Sequence, residues 1–99
     1  MKSDKASSYI GFAMKSGKLV SGEFSVEKAV KEGKAQVVII AEDASENTKK
    51  GLKNMCDYYG VKSVELKSKE VLGHIIGKEY RACAAINDRG LADALIRSI

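Results

Sequence analysis

The hydrophobic positions switch repeatedly between a helical and a strand period, with glycines marking the breaks. From Ser7 to Ser16, Tyr9, Ile10, Phe12, Ala13 and Met14 fall at near-helical spacing, with Ser7 or Ser8 available as N-cap and Gly17 as stop. Lys18 to Ser21 suits a short strand ending at Gly22. Ser25 to Glu32 then places Val26, Ala29 and Val30 on one helical face and stops at Gly33. Ala35 to Ala41 is β-branched and almost wholly apolar, the pattern of a central strand covered on both faces. Glu42-Asp43-Ala44-Ser45 reads as a turn in which Asp43 or Ser45 caps the next helix. That helix runs from about Glu46 to Tyr59, with Leu52, Met55, Cys56 and Tyr59 as its apolar stripe and Gly60 closing it.

Lys62 to Leu66 alternates like a half-buried strand. Ser68, Val71 and Leu72 open a short helix ending near Gly77, and Ala82 to Asn87 forms a second buried strand. Asp88 to Ile99 closes the chain as a helix with Leu91, Ala92, Leu95 and Ile96 inside. Strands alternating with helices predict an α/β fold: a single-domain, three-layer α-β-α sandwich with about four strands in a mixed sheet. No internal repeat, linker or low-complexity run interrupts it, so residues 1–99 are expected to make one domain.

The 99 residues are 44% hydrophobic and 30% charged, which excludes a disordered or fibrous chain. The longest apolar run, Val37 to Ala41, is far short of the ~20 residues of a membrane helix. The polar start Met1-Lys2-Ser3-Asp4-Lys5 leads into no secretory stretch, so a cytoplasmic protein is expected. Seventeen Lys and Arg against thirteen Asp and Glu give a net charge of +4, compatible with a nucleic-acid partner without requiring one. The excess sits in residues 1–20, with four Lys and one Asp, and in residues 61–81, with five basic and three acidic groups. These segments make a basic patch if the fold brings them together.

Little in the sequence supports catalysis. His74 lies in an apolar helical turn, where a packed or surface imidazole is the ordinary case. Glu42 and Asp43 follow a central strand, a common place for active-site groups, but consecutive carboxylates there usually make a turn and a cap. Cys56 and Cys83 have no partner at metal-ligand spacing and read as small buried thiols. No cofactor, no metal and no enzyme activity are expected.

Two segments are more informative. In Ser21-Gly22-Glu23-Phe24-Ser25-Val26-Glu27-Lys28, a glycine after a strand permits a tight turn and close backbone approach, and the following helix start suits phosphate oxygens. Lys28 falls about one turn in. In Gly77-Lys78-Glu79-Tyr80-Arg81, an aromatic beside two cations can stack on an unpaired base while the cations contact phosphate.

The ordered anchors Val20-Ser21-Gly22-Glu23, Lys34 to Thr48, Tyr58-Tyr59-Gly60-Val61, Leu72 to Lys78 and Asp88-Arg89-Gly90-Leu91-Ala92 carry a resemblance over roughly residues 8 to 97. The chain resembles the kink-turn RNA-binding ribosomal proteins of the archaeal seven-Ae and eukaryotic thirty-e types, and most closely their short bacterial YlxQ-like relatives. The resemblance implies an α-β-α sandwich clamping a sharply bent RNA. The turn after the first strand would contact tandem sheared G·A pairs, and the loop before the last strand would hold a flipped-out nucleotide. Mapped here, the RNA-binding residues are Ser21, Gly22, Glu23, Phe24, Ser25 and Lys28, with Lys78, Glu79, Tyr80 and Arg81. The best-studied members carry Gly-x-Asn-Glu or Gly-x-Lys-Gln, whose polar side chains read guanine edges, and the bacterial relatives lack the full signature; here Phe24 and Ser25 stand at those positions. Base readout then either falls to Glu23, Ser25 and backbone groups or is weaker. The expected protein is a monomer without membrane contact whose partner is structured RNA, ribosomal or regulatory, either as a ribosome-associated component or as a free regulator. The alternatives are a protein–protein accessory module of the translation machinery and, with least support, a small α/β enzyme.

Overall fold

The structure, a computed structural model, describes residues 4–99; Met1, Lys2 and Ser3, with the first lysine of the basic N-terminal segment, lie outside the described residues. These form α1 (Lys5–Lys15), β1 (Leu19–Ser21), α2 (Glu23–Lys31), β2 (Val37–Ile40), α3 (Glu46–Tyr59), β3 (Lys62–Glu65), α4 (Lys69–Ile75), β4 (Cys83–Ile86) and α5 (Arg89–Arg97). The four strands lie in the order β1-β4-β2-β3. β4 runs antiparallel to both β1 and β2, and β3 is parallel to β2. The expected mixed four-stranded sandwich is the one observed.

β2 and β4 are central and buried throughout, which explains why their sequences show no polar alternation. Successive side chains of a strand point to opposite faces, so β2 feeds both layers. Val38 and Ile40 pack with Cys83 and Ala85 under α2 and α3, alongside Val26, Val30, Leu52 and Cys56. Val37 and Ile39 pack with Ala84 and Ile86 under α1, α4 and α5, alongside Ile10, Leu72, Ile76 and Leu95. β4 thus sets small residues beside the branched ones of β2, letting helices seat closely on both sides. Each fully buried Ile or Leu contributes about 1.5–3 kcal/mol by leaving water.

Several boundaries differ from the sequence expectation. α1 is capped by Asp4, upstream of the serines: its Oδ1 accepts from the Ser7 N–H at 3.1 Å and its Oδ2 from the Ser7 hydroxyl at 2.8 Å. Lys67 pairs with the same carboxylate and holds it in place. The basic segments that contain Asp4 and Lys67 therefore meet in an ion pair there, which offsets part of their charge. The buried face of α1 is Ala6, Ile10 and Ala13, while Phe12 and Met14 are exposed, because the helix lays only a narrow stripe on the sheet. Tyr59 also points out: in α3 only Leu52 and Cys56 are buried, so the covered stripe is narrow here too. Ser45 caps α3 through the Thr48 N–H at 3.2 Å. Asp43 serves α4 instead, accepting from the Lys69 N–H at 2.7 Å.

Candidate nucleic-acid interface

The β1–α2 connection contains one residue, Gly22. Its backbone sits at φ 90°, ψ 153°, a conformation that side-chain-bearing residues rarely adopt, although the space around it is open. Its N–H donates to the Cys83 carbonyl at 3.0 Å, extending the β1–β4 ladder, and its carbonyl accepts from Val26 N–H at 3.0 Å. The helix therefore starts at Glu23, two residues earlier than the periodicity indicates, because glycine completes the turn alone. Glu23, Phe24 and Lys28 are exposed and Ser25 is half-buried. Phe24, Glu27, Lys28 and Lys31 recur at i, i+3, i+4 and i+7, one outward stripe of α2.

The second segment is held by its backbone. The Lys78 N–H donates to the Gly73 carbonyl at 2.7 Å and the Arg81 N–H to the Lys69 carbonyl at 3.1 Å. Gly77 takes a positive φ of 78° where the chain leaves α4. The loop then crosses Gly73 so closely that a Cβ there would lie 2.6 Å from the Glu79 carbonyl oxygen. Gly73 is a positioning residue that the periodicity reading passed over. The available signal was a glycine inside a helical pattern, which usually has a packing reason. Lys78, Glu79 and Tyr80 stand exposed on the fixed loop.

A side-chain bridge joins the two segments across 60 positions of sequence. Arg81 Nε donates to Ser21 Oγ at 3.0 Å, and Arg81 Nη1 donates to the Tyr80 carbonyl at 2.9 Å. The bridge follows from sheet order: Ser21 lies opposite Ala84, so the residues entering β4 arrive beside the end of β1. Phe24 and Tyr80, on the two segments that this bond joins, are 79% and 60% exposed. Among the described residues, Lys28 and Lys78 enter no ion pair, whereas Lys31 pairs with Glu27 at 2.8 Å. Lys28 lies farther along α2, over a hollow of about 280 Å³ that it lines with Val20, Phe24, Ser25, Glu32, Lys34 and Asn87. No hydrogen bond joins Lys28 to the Lys78–Arg81 loop among the described residues.

The model of the ribosomal protein L7Ae/L30e/S12e/Gadd45 family matches residues 4–96. The chain belongs to this family. RNA-binding protein YlxQ of Bacillus subtilis (strain 168) is 42% identical over 87 residues, covering 88% of this chain and 87% of YlxQ. The large ribosomal subunit protein eL8 of Thermoplasma volcanium is 33% identical over 98 residues, covering 98% of this chain and 81% of eL8. Among solved structures, a Bacillus halodurans protein of unknown function superposes with a TM-score of 0.92 at 32% identity, over 97% of both chains. The 15.5 kD RNA-binding protein of Giardia lamblia shares the fold, with a TM-score of 0.79 at 22% identity over 99% of this chain and 88% of that one.

The family is one of ribosomal and RNA-binding proteins, not of enzymes. The groups considered for chemistry have structural positions in this L7Ae/L30e-type chain. Asp43 supplements the Ser68 cap of α4 by accepting from the Lys69 N–H, and Glu42 and His74 are exposed. Burial pushes the Cys56 thiol up to about 11 and the Cys83 thiol up to about 12, so neither is a nucleophile near neutral pH. No group of metal-ligating side chains gathers among the described residues, and no helix there is long and apolar enough to cross a membrane.

Proposed function

We propose that the chain binds structured RNA of the kink-turn class along the edge formed by Ser21–Lys28 and Lys78–Arg81. The observation that carries this reading is the Arg81–Ser21 hydrogen bond, which makes one surface of two segments the resemblance maps to RNA. Gly22 opens the helix whose first N–H groups have no intrahelical partner and suit phosphate oxygens. Lys28 and Lys78 supply unpaired charge for the backbone, Glu23 and Ser25 face base edges, and Tyr80 stacks on a displaced base beside Glu79. The names of the YlxQ and eL8 relatives support an RNA partner and, through eL8, a ribosomal one. The protein in this reading is a cytoplasmic monomer.

A gel shift with a kink-turn RNA, and with a control whose tandem G·A pairs are replaced by Watson–Crick pairs, tests the reading. Preference for the kink-turn that persists at moderate salt is expected. Equal binding to both RNAs, falling steeply with salt, would leave only charge attraction. Lys28→Ala should reduce the slope of log affinity against log salt by about 1.

A protein–protein role in translation is the second reading, favoured by one observation. Between α2 and α3 lies a groove of about 590 Å³ floored by Leu52 and Met55 and edged by Tyr58 and Tyr59. If that reading holds, Lys28→Ala leaves RNA affinity unchanged and Tyr58→Ala disrupts partner pull-down.

A further inference from the structure

Phe24 is difficult to explain as a folding residue. It is 79% exposed, so it removes little apolar surface from water, and an alanine at this helical position would be the better helix former. Its side chain instead forms one wall of a shallow hollow of about 360 Å³, shared with Glu27, Lys28, Lys31 and Glu32. That volume is within the span of small-ligand clefts, about 300–1,000 Å³. The charges around the ring are already sorted. Glu27 is paired with Lys31 at 2.8 Å and Glu32 with Lys34 at 3.4 Å, which leaves Lys28 as the cation of the hollow without a carboxylate partner among the described residues. An open aromatic face with a neighbouring free ammonium matches a nucleotide: the ring takes the base and the lysine its phosphate.

Resting on the RNA reading above, we propose that Phe24 is a specificity-determining stacking platform for an unpaired base. It then adds a second platform to that of Tyr80, on the segment that the Arg81–Ser21 bond ties to the Tyr80 loop. The RNA class this selects is one that presents two unstacked nucleotides, one to each ring. A phenyl group has no donor or acceptor for a base edge, so recognition at this position depends on a base being free of the helix and only weakly on which base it is.

The test uses a kink-turn RNA carrying 2-aminopurine at an unpaired position, with affinity read by titration and stacking by fluorescence quenching. Phe24→Ala and Phe24→Leu should each weaken binding by about tenfold, inside the range of base–aromatic stacking losses, and should reduce quenching. Phe24→Trp should retain both. Phe24→Ala should leave the salt slope intact, in contrast to Lys28→Ala, because stacking releases no counterions. All four variants should melt with the parent, since both side chains are exposed; Phe24→Leu keeps an apolar side chain and Phe24→Trp an aromatic one in case alanine perturbs the helix. Phe24→Leu binding like the parent, or Phe24→Ala changing only the salt slope, overturns the stacking role while leaving the RNA reading in place. A parent protein that binds the kink-turn no better than its Watson–Crick control overturns the RNA reading itself, and this inference with it.

Discussion

Replacing Gly73 by alanine separates two effects of glycine that usually act together. In the interior of an exposed helix the change should stabilise by up to about 1 kcal/mol, since alanine is the better helix former. At Gly73 the new Cβ would lie 2.6 Å from the Glu79 carbonyl oxygen, 2.8 Å from its carbon and 2.9 Å from the Tyr80 nitrogen, all backbone atoms. The loop must therefore move, and the two bonds that seat it, Lys78 N–H to Gly73 at 2.7 Å and Arg81 N–H to Lys69 at 3.1 Å, are strained or lost. Each such bond is worth about 0.5–1.5 kcal/mol, and overpacking adds about 1–3 kcal/mol. Against the gain in propensity, the net loss is about 1–5 kcal/mol. For a domain of this size each kcal/mol lowers the melting midpoint by roughly 4–8 °C. Gly11→Ala in α1 and Gly51→Ala in α3 are the controls, because a Cβ at either meets nothing within 4 Å. Thermal unfolding followed by circular dichroism should show the midpoint falling for Gly73→Ala and rising or holding for the controls. If Gly73→Ala melts at or above the parent, the loop is not held against α4 in the way described. In the RNA reading, Gly73→Ala also weakens binding without altering any side chain on the RNA-facing edge.

Three shorter tests follow from other contacts. Ser21→Ala and Arg81→Lys each remove the Nε–Oγ bridge; stability should fall by about 0.5–1.5 kcal/mol, and RNA affinity should drop in both, whereas an Arg81→Lys protein with full affinity would show that the bridge does not position the edge. Cys56 and Cys83, buried and with thiols raised to about 11 and about 12, should resist a thiol reagent at pH 8 until the protein is unfolded; prompt labelling of the native protein would contradict their burial. Asp4 is held down from 3.8 to about 2, first by Lys67 and then by the Ser7 N–H and hydroxyl. Its carboxylate thus contributes stability that is complete above the unfolded value and lost as pH falls through the folded one. Asp4→Asn retains an N-cap side chain and should flatten the stability–pH curve between about pH 4 and pH 2; an unchanged curve would place the effect elsewhere.

The backbone of the Gly22 turn is held independently of the side chains that follow it. Gly22 fixes the backbone through its positive φ and its bond to Cys83, so the geometry of the helix start does not depend on the side chains at Phe24 and Ser25. In the RNA reading, those positions are free to change what is recognised without changing where.

The layers of the fold were legible in the sequence because their signal is local. Val37–Ile40 and Cys83–Ile86 are unbroken apolar runs, as strands buried on both faces must be, and glycines mark the ends of the elements. The segments Ser21–Lys28 and Gly77–Arg81 also stood out, by composition and by family resemblance. What periodicity could not supply was anything that depends on which distant residues meet. Asp4 replaces the serines as N-cap with Lys67 from another element paired to it. Phe12 and Tyr59 satisfy a helical stripe yet face outward, since the width of the buried stripe is set by the neighbouring layer. The need for glycine at position 73 comes from the loop that lies across it. The joining of the two candidate segments was decided by strand order: β4 inserts between β1 and β2, and that non-local pairing carries Arg81 to Ser21. Local sequence sets which face of an element is apolar; only the assembled sheet sets what that face, and the residues at its ends, will touch.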